Sequence, residues 1–190
     1  MLAAGGSGVI VNVSSISGRL PTPWAAAYTA AKHGVAGFTD ALRAELGIRS
    51  RIAVCGVYPA FVDTPTYLES GNFTGRELRP VPPERVAERI VQLAVRPRRA
   101  VRVGATNLLT APAALAPERV ARLTARLGGR YLLGSGKPAP GYRGGLDGPV
   151  DGPAEPRGGW GDRQRRTVRA VAGAAGLAAG GAVAVAARRR

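Results

Sequence analysis

Two short apolar runs separated by one helix-length segment constrain this chain most. Gly8–Val13 and Arg51–Tyr58 are rich in β-branched residues and show little polar alternation. A strand that is apolar on both faces lies between layers, the habit of parallel sheets. Between the runs, Pro23–Leu46 reads as a helix. Ala26, Ala27, Ala30, Ala31, Val35, Phe38, Leu42 and Leu46 form its apolar face, and Gly47 ends it. Gly34 and Gly37 weaken the helix locally but permit close packing. Strand, helix and strand at this spacing predict a right-handed βαβ unit of a doubly wound α/β sheet.

Further along, Thr64–Pro80 has little periodicity and reads as a loop. Pro83–Val95 predicts an amphipathic helix with Val86, Ile90, Leu93 and Ala94 inward, Pro83 in its first turn and Glu84 at its positive end. Arg99–Gly104 is a candidate third strand. Pro117–Leu127 is a candidate helix, with Val120, Leu123 and Leu127 on one side and Gly128-Gly129 as its stop. Gly134–Gly161 contains 15 Gly or Pro in 28 residues, too many for a packed element. The expected organisation is a partial catalytic domain over 1–133, a Gly/Pro-rich linker over 134–162 and a basic Ala/Gly-rich tail over 163–190.

The formal net charge of +15 invites a nucleic-acid reading, but the sequence argues against one. All but two of its basic residues are arginine, a skew that fits a GC-rich genome better than a binding surface. Aromatic content is 5%, too low for base-stacking platforms. Arg157–Arg190 holds eight arginines against one acid, so the charge concentrates in the tail. Within the tail, Ala170–Ala187 is an uncharged run flanked by arginine. It has two readings: a membrane-associated helix, or a soluble, loosely helical or disordered tail. The single cysteine, Cys55, excludes an internal disulfide and reads as a buried strand thiol. No signal peptide stands at the N-terminus. The expected location is cytoplasmic, with the tail as the one segment suited to a membrane surface.

Chemistry concentrates in Ser15, Tyr28 and Lys32. Residues four apart share a helix face, so Lys32 sits one turn from Tyr28. An ammonium there favours the phenolate and makes the tyrosine a usable acid and base near neutral pH. Lys32 is one of two lysines in a chain that otherwise writes its cations as arginine, which suggests that an ammonium is required. A serine at the end of the preceding strand can polarise a carbonyl oxygen beside them. His33 points about 100° from Lys32 around the helix and reads as a packing or surface residue. No second histidine exists for a metal pair.

With Ile10-Val-Asn-Val-Ser-Ser15, Gly18, Tyr28-Thr-Ala-Ala-Lys32, Gly37-Phe38 and Pro59-Ala-Phe-Val-Asp-Thr64, residues 1–104 resemble the short-chain dehydrogenase/reductase family. The resemblance implies a Rossmann-like sheet and NAD- or NADP-dependent interconversion of an alcohol and a carbonyl. Tyr28 would be the acid/base, Lys32 would bind the nicotinamide ribose and assist Tyr28, and Ser15 would hold the carbonyl, with Ser14 the adjacent alternative. Pro59, Val62 and Thr64 would lie against the nicotinamide, and the loop 65–80 would close over a small-molecule alcohol or ketone.

The sequence departs from the family in carrying Ala60 after Pro59, where glycine is more usual. It also lacks the Thr-Gly-x-x-x-Gly-x-Gly turn that binds the pyrophosphate. Gly5-Gly6-Ser7-Gly8 precedes a strand and does not match it. The chain therefore reads as the C-terminal half of the family's domain, a fragment, a misplaced gene start or a truncated relative, expected to bind NAD(P) poorly alone. The alternative is a non-catalytic remnant that uses helix 23–46 as a homo-oligomer surface and the tail as a tether.

Overall fold

The computed structural model describes residues 6–47, 50–65 and 80–132, with side chains to 126. Most of the expected loop 64–80, the linker and the tail lie outside the described residues. The elements are β1 (Ser7–Val13), a 3-10 turn (Ile16–Gly18), α1 (Ala26–Gly47), β2 (Arg51–Pro59), α2 (Pro83–Val95), β3 (Ala100–Val103), a second 3-10 turn (Ala105–Leu109), α3 (Thr110–Leu115) and α4 (Pro117–Leu132). The strands form one sheet in the order β1-β2-β3, parallel throughout. Val13 pairs with Val57, and Pro59 with Val103. Parallel neighbours need crossover helices, which α1 and α2 supply. The carboxyl ends of all three strands consequently share one edge, where open α/β sheets bind ligands.

Strand alternation explains how the layers form. Val9, Val11, Cys55, Val57, Val101 and Val103 occupy one face of the sheet. Val86, Ile90 and Leu93 of α2 pack on that face, and Leu93, Cys55, Val57 and Val103 form its buried centre. The even-numbered positions face α1, where Asn12 Nδ2 donates to Thr39 Oγ1 at 3.1 Å. Two helices on opposite faces of a parallel sheet make a partial doubly wound α/β fold. Among the described residues, no helix is long and apolar enough to cross a membrane.

Several expected details differ. Helix α1 begins at Ala26 rather than Pro23, because Trp24 adopts φ 61°, a left-handed conformation that a right-handed helix cannot include. Its buried residues are Ala36 and Thr39, while Ala26, Ala27, Ala30, Ala31 and Phe38 (60% exposed) remain open. Alanine is small enough to sit on either face, so the Ala pattern misplaced the contact. Ala94 of α2 is exposed for a different reason: it points about 100° around the helix from Leu93, which is the residue buried against the sheet. In α4, Leu123 is exposed, and Val120, Ala121, Thr124 and Ala125 are the half-buried positions. The helix also continues through Gly128-Gly129 to Leu132. Glycine in a helix interior costs about 1 kcal/mol relative to alanine, and it ends a helix only where the backbone turns left-handed. Strand β1 is half-buried, less enclosed than its apolar sequence suggested.

A charge cluster locks α1 to the sheet. Asp40 accepts hydrogen bonds from Arg19, at 2.8 Å, and from Arg43. Arg43 also donates to the Val54 and Arg99 carbonyls, and Arg19 to the Tyr58 hydroxyl, each at 2.8 Å. Burial pushes the Asp40 carboxyl upward, but the Arg19 and Arg43 hydrogen bonds outweigh it and hold the group below the usual aspartate value. A depressed carboxyl contributes stability above its unfolded value, near 3.9, that is lost as pH falls through the folded value. Asp40→Asn should therefore lower stability in urea titrations at neutral pH, with the gap to wild type closing below about pH 4. In the core, Leu93→Ala should cost about 2–5 kcal/mol in the same titrations.

Candidate active site

Strand β1 ends at Val13, but its ladder carries on for one residue: Ser14 N–H donates to the Val57 carbonyl at 2.9 Å. The chain then turns through Ile16–Gly18, with Ser15 capping the turn. Ser15 Oγ accepts from Ser17 N–H at 3.2 Å. Both serines are buried. Ser14 Oγ instead crosses to α1 and donates to the Lys32 carbonyl at 2.8 Å. The end of β1 is thus tied to the helical turn that carries Tyr28 and Lys32.

Tyr28 and Lys32 lie together, with Nζ 5.6 Å from the centroid of the tyrosine ring. Tyr28 is 50% exposed and Lys32 half-buried, so the pair faces an open region. Ser15 stands on the sheet side, at the carboxyl end of β1. The other expected site residues sit at the same edge. Pro59 closes β2 and is buried, while Val62 and Thr64 are half-buried beyond it. Val62 forms a parallel bridge with Val81, and Thr64 N–H donates to the Val62 carbonyl at 2.9 Å.

His33 is exposed, with Nδ1 3.0 Å from the Thr29 carbonyl. Among the described residues, no group of His, Cys, Asp or Glu could hold a metal ion. Cys55 is buried and free.

Three features were not legible in the sequence. The Ser14 anchor depends on a main-chain acceptor 18 positions away. Asn107 is buried after β3, beside the ends of β2 and β3, and its partners are likewise main-chain carbonyls. The third is a groove of about 420 Å³ between the start of α1 and α4, walled by Pro21, Trp24, Ala26, Ala30, His33 and Ala121. It lies around α1 from Tyr28 and Lys32, so it is separate from the tyrosine–lysine face. Only the Pro-Thr-Pro-Trp sequence hinted at an irregular entry to this helix.

Residues 1–72 match the family model described as short chain dehydrogenase. Over 99 residues the chain is 36% identical to dehydrogenase/reductase SDR family protein 7-like of Drosophila melanogaster, covering 48% of this chain and 30% of the relative. Over 92 residues it is 38% identical to a cyclohexanol dehydrogenase of an Acinetobacter species, covering 46% and 36%. The chain thus spans about a third of the length of these curated relatives. A solved short chain dehydrogenase from Burkholderia cenocepacia, in complex with NADP, aligns at 28% identity with a TM-score of 0.49, covering 64% of this chain and 49% of that one.

The serine–lysine tie offers a test that needs no activity. A Cβ on Gly18 would stand 2.3 Å from Ser14 Oγ and 2.6 Å from the Lys32 carbonyl oxygen. Gly18→Ala should therefore push the two apart and cost about 1–3 kcal/mol in thermal or urea unfolding. Ser14→Ala, which loses one hydrogen bond, should cost about 1 kcal/mol.

Proposed function

We propose that the chain is a short-chain dehydrogenase/reductase, a reading supported by the family match over residues 1–72, and that its Ser15, Tyr28 and Lys32 interconvert an alcohol and a carbonyl with NAD or NADP as hydride carrier. The observation that carries this reading is the division of labour between the two serines. Ser14 has committed its hydroxyl hydrogen to the Lys32 carbonyl. Ser15 Oγ accepts from Ser17 N–H and keeps its own O–H to donate. Ser15 is therefore the hydroxyl suited to hold a substrate oxygen, and Ser14 the one that positions the helix.

The residues at this edge fit the nicotinamide end of the cofactor. Pro59 and Val62 offer an apolar wall, Thr64 a hydroxyl, and Lys32 a cation with three donors for ribose oxygens. The phosphate end has no Gly-rich strand–turn–helix to meet it among the described residues. Bound NAD(P) would supply or accept the hydride. In the reducing direction, the Tyr28 hydroxyl gives its proton to the substrate oxygen, Ser15 holds that oxygen, and the Lys32 ammonium steadies the phenolate left behind. In the oxidising direction, the phenolate takes the proton back. The substrate class is a small alcohol or ketone.

The test is NAD(P)H oxidation against a panel of ketones and aldehydes, with cofactor affinity read by fluorescence. Tyr28→Phe should reduce turnover about 10²–10⁴-fold and leave NAD(P)H affinity nearly unchanged. Lys32→Ala should weaken both. Turnover that survives Tyr28→Phe removes that residue from its role. A native chain that neither binds NAD(P)H nor reduces any carbonyl favours the non-catalytic reading.

A further inference from the structure

Asn107 lies in the second 3-10 turn, 5% exposed. Its Nδ2 is 3.0 Å from the Tyr58 carbonyl oxygen and 3.0 Å from that of Val103. These two acceptors decide which end of the amide is nitrogen, since the flipped amide would set an oxygen against two carbonyl oxygens. Oδ1 is the end left over, and it is buried without a donor among the described residues. A buried, unpaired acceptor is destabilising, and an apolar residue would avoid it. The contribution of Asn107 must therefore lie in its two donated bonds.

Those bonds hold the base of one segment. Tyr58 directly precedes Pro59, and the Val103 carbonyl also accepts from Ala60 N–H at 2.8 Å. Beyond Ala60, Val81 N–H donates to the Phe61 carbonyl at 2.8 Å, and Asp63 N–H to the Val81 carbonyl at 2.9 Å. Gly104, at φ 101°, supports the segment from below. A Cβ there would come within 2.8 Å of Ala60 Cβ and 2.9 Å of Val81 Cγ2. Pro59–Thr64 is thus held by Asn107 at its root, Gly104 beneath and Val81 alongside.

We infer that Asn107 is a positioning residue that fixes the Pro59–Thr64 segment at the sheet edge and thereby sets affinity for the nicotinamide end of the cofactor. The cofactor part rests on the oxidoreductase reading above; the clamp itself does not.

Hydrogen exchange and NAD(P)H fluorescence titration, each on the full chain, separate the two. In Asn107→Ala, the Ala60 and Asp63 amides should exchange about tenfold faster, the equivalent of one net hydrogen bond, while Val54 and Val57 keep their protection. NAD(P)H affinity should fall by a similar factor, and Asn107→Gln, which keeps the donors, should restore part of both. If Asn107→Ala does not fold, Asn107→Ser, with one donor, takes its place. Unchanged exchange at Ala60 and Asp63 overturns the clamp. Faster exchange with unchanged cofactor affinity overturns the positioning role. A wild-type chain that binds no NAD(P)H sinks the functional reading and the positioning role with it, while the exchange result still decides the clamp.

Discussion

The hydrogen bond from Ser14 to the Lys32 carbonyl is the contact on which the arrangement of the candidate site depends. It joins the end of β1 to the second turn of α1, and the other polar tie between these elements, Asn12 to Thr39, lies about two turns further along the helix. Apolar packing is non-directional and tolerates sliding. A donated hydrogen bond of fixed geometry does not, because breaking it leaves the buried Ser14 hydroxyl without its acceptor. Gly18 makes the approach sterically feasible, and the Ser14–Val57 main-chain bond fixes the same serine to the sheet. One residue thus brings together β1, β2 and α1.

Helix α1 divides its length between two tasks. Its first turns carry Tyr28 and Lys32 on a face left open, while its later turns carry Thr39, Asp40 and Arg43 against the sheet. The anchoring half uses polar contacts of defined geometry: an amide to a hydroxyl, and a guanidinium to two carbonyls and a carboxylate. Arg19 adds a second guanidinium, 4.9 Å from the Tyr58 ring centroid. Polar contacts of this kind set the rotation of a helix about its own axis, which alanine-rich packing leaves loosely determined. Rotation in turn decides where a tyrosine and a lysine one turn apart will face.

Much of the architecture was legible in the sequence because it rests on periodicity. The β-branched runs mark β1 and β2, and the Val86–Ile90–Leu93 spacing marks α2, since these side chains have one place to go. The failures have physical causes too. Alanine does not declare a face, so α1 was rotated in the sequence reading. Gly128-Gly129 looked like a stop because glycine permits a left-handed turn, but permission is not a requirement. In the site, the Tyr28–Lys32 pair follows directly from helical spacing. The distinct hydrogen-bonding states of Ser14 and Ser15 could not be read that way, since each is defined by a main-chain partner. Asn107 was invisible for the same reason: a polar residue that serves two carbonyls leaves no pattern of its own.

Asn107 lies 49 positions after Tyr58 and beyond all three strands, which orders events in time as well as in space. During synthesis, β1, α1 and β2 can pair while Asn107 is still unmade. The edge that carries Pro59–Thr64 would then exist for an interval without its clamp. Pairing of β1 with β2 and completion of the working edge are therefore separable, and the second waits on β3 and the chain just beyond it.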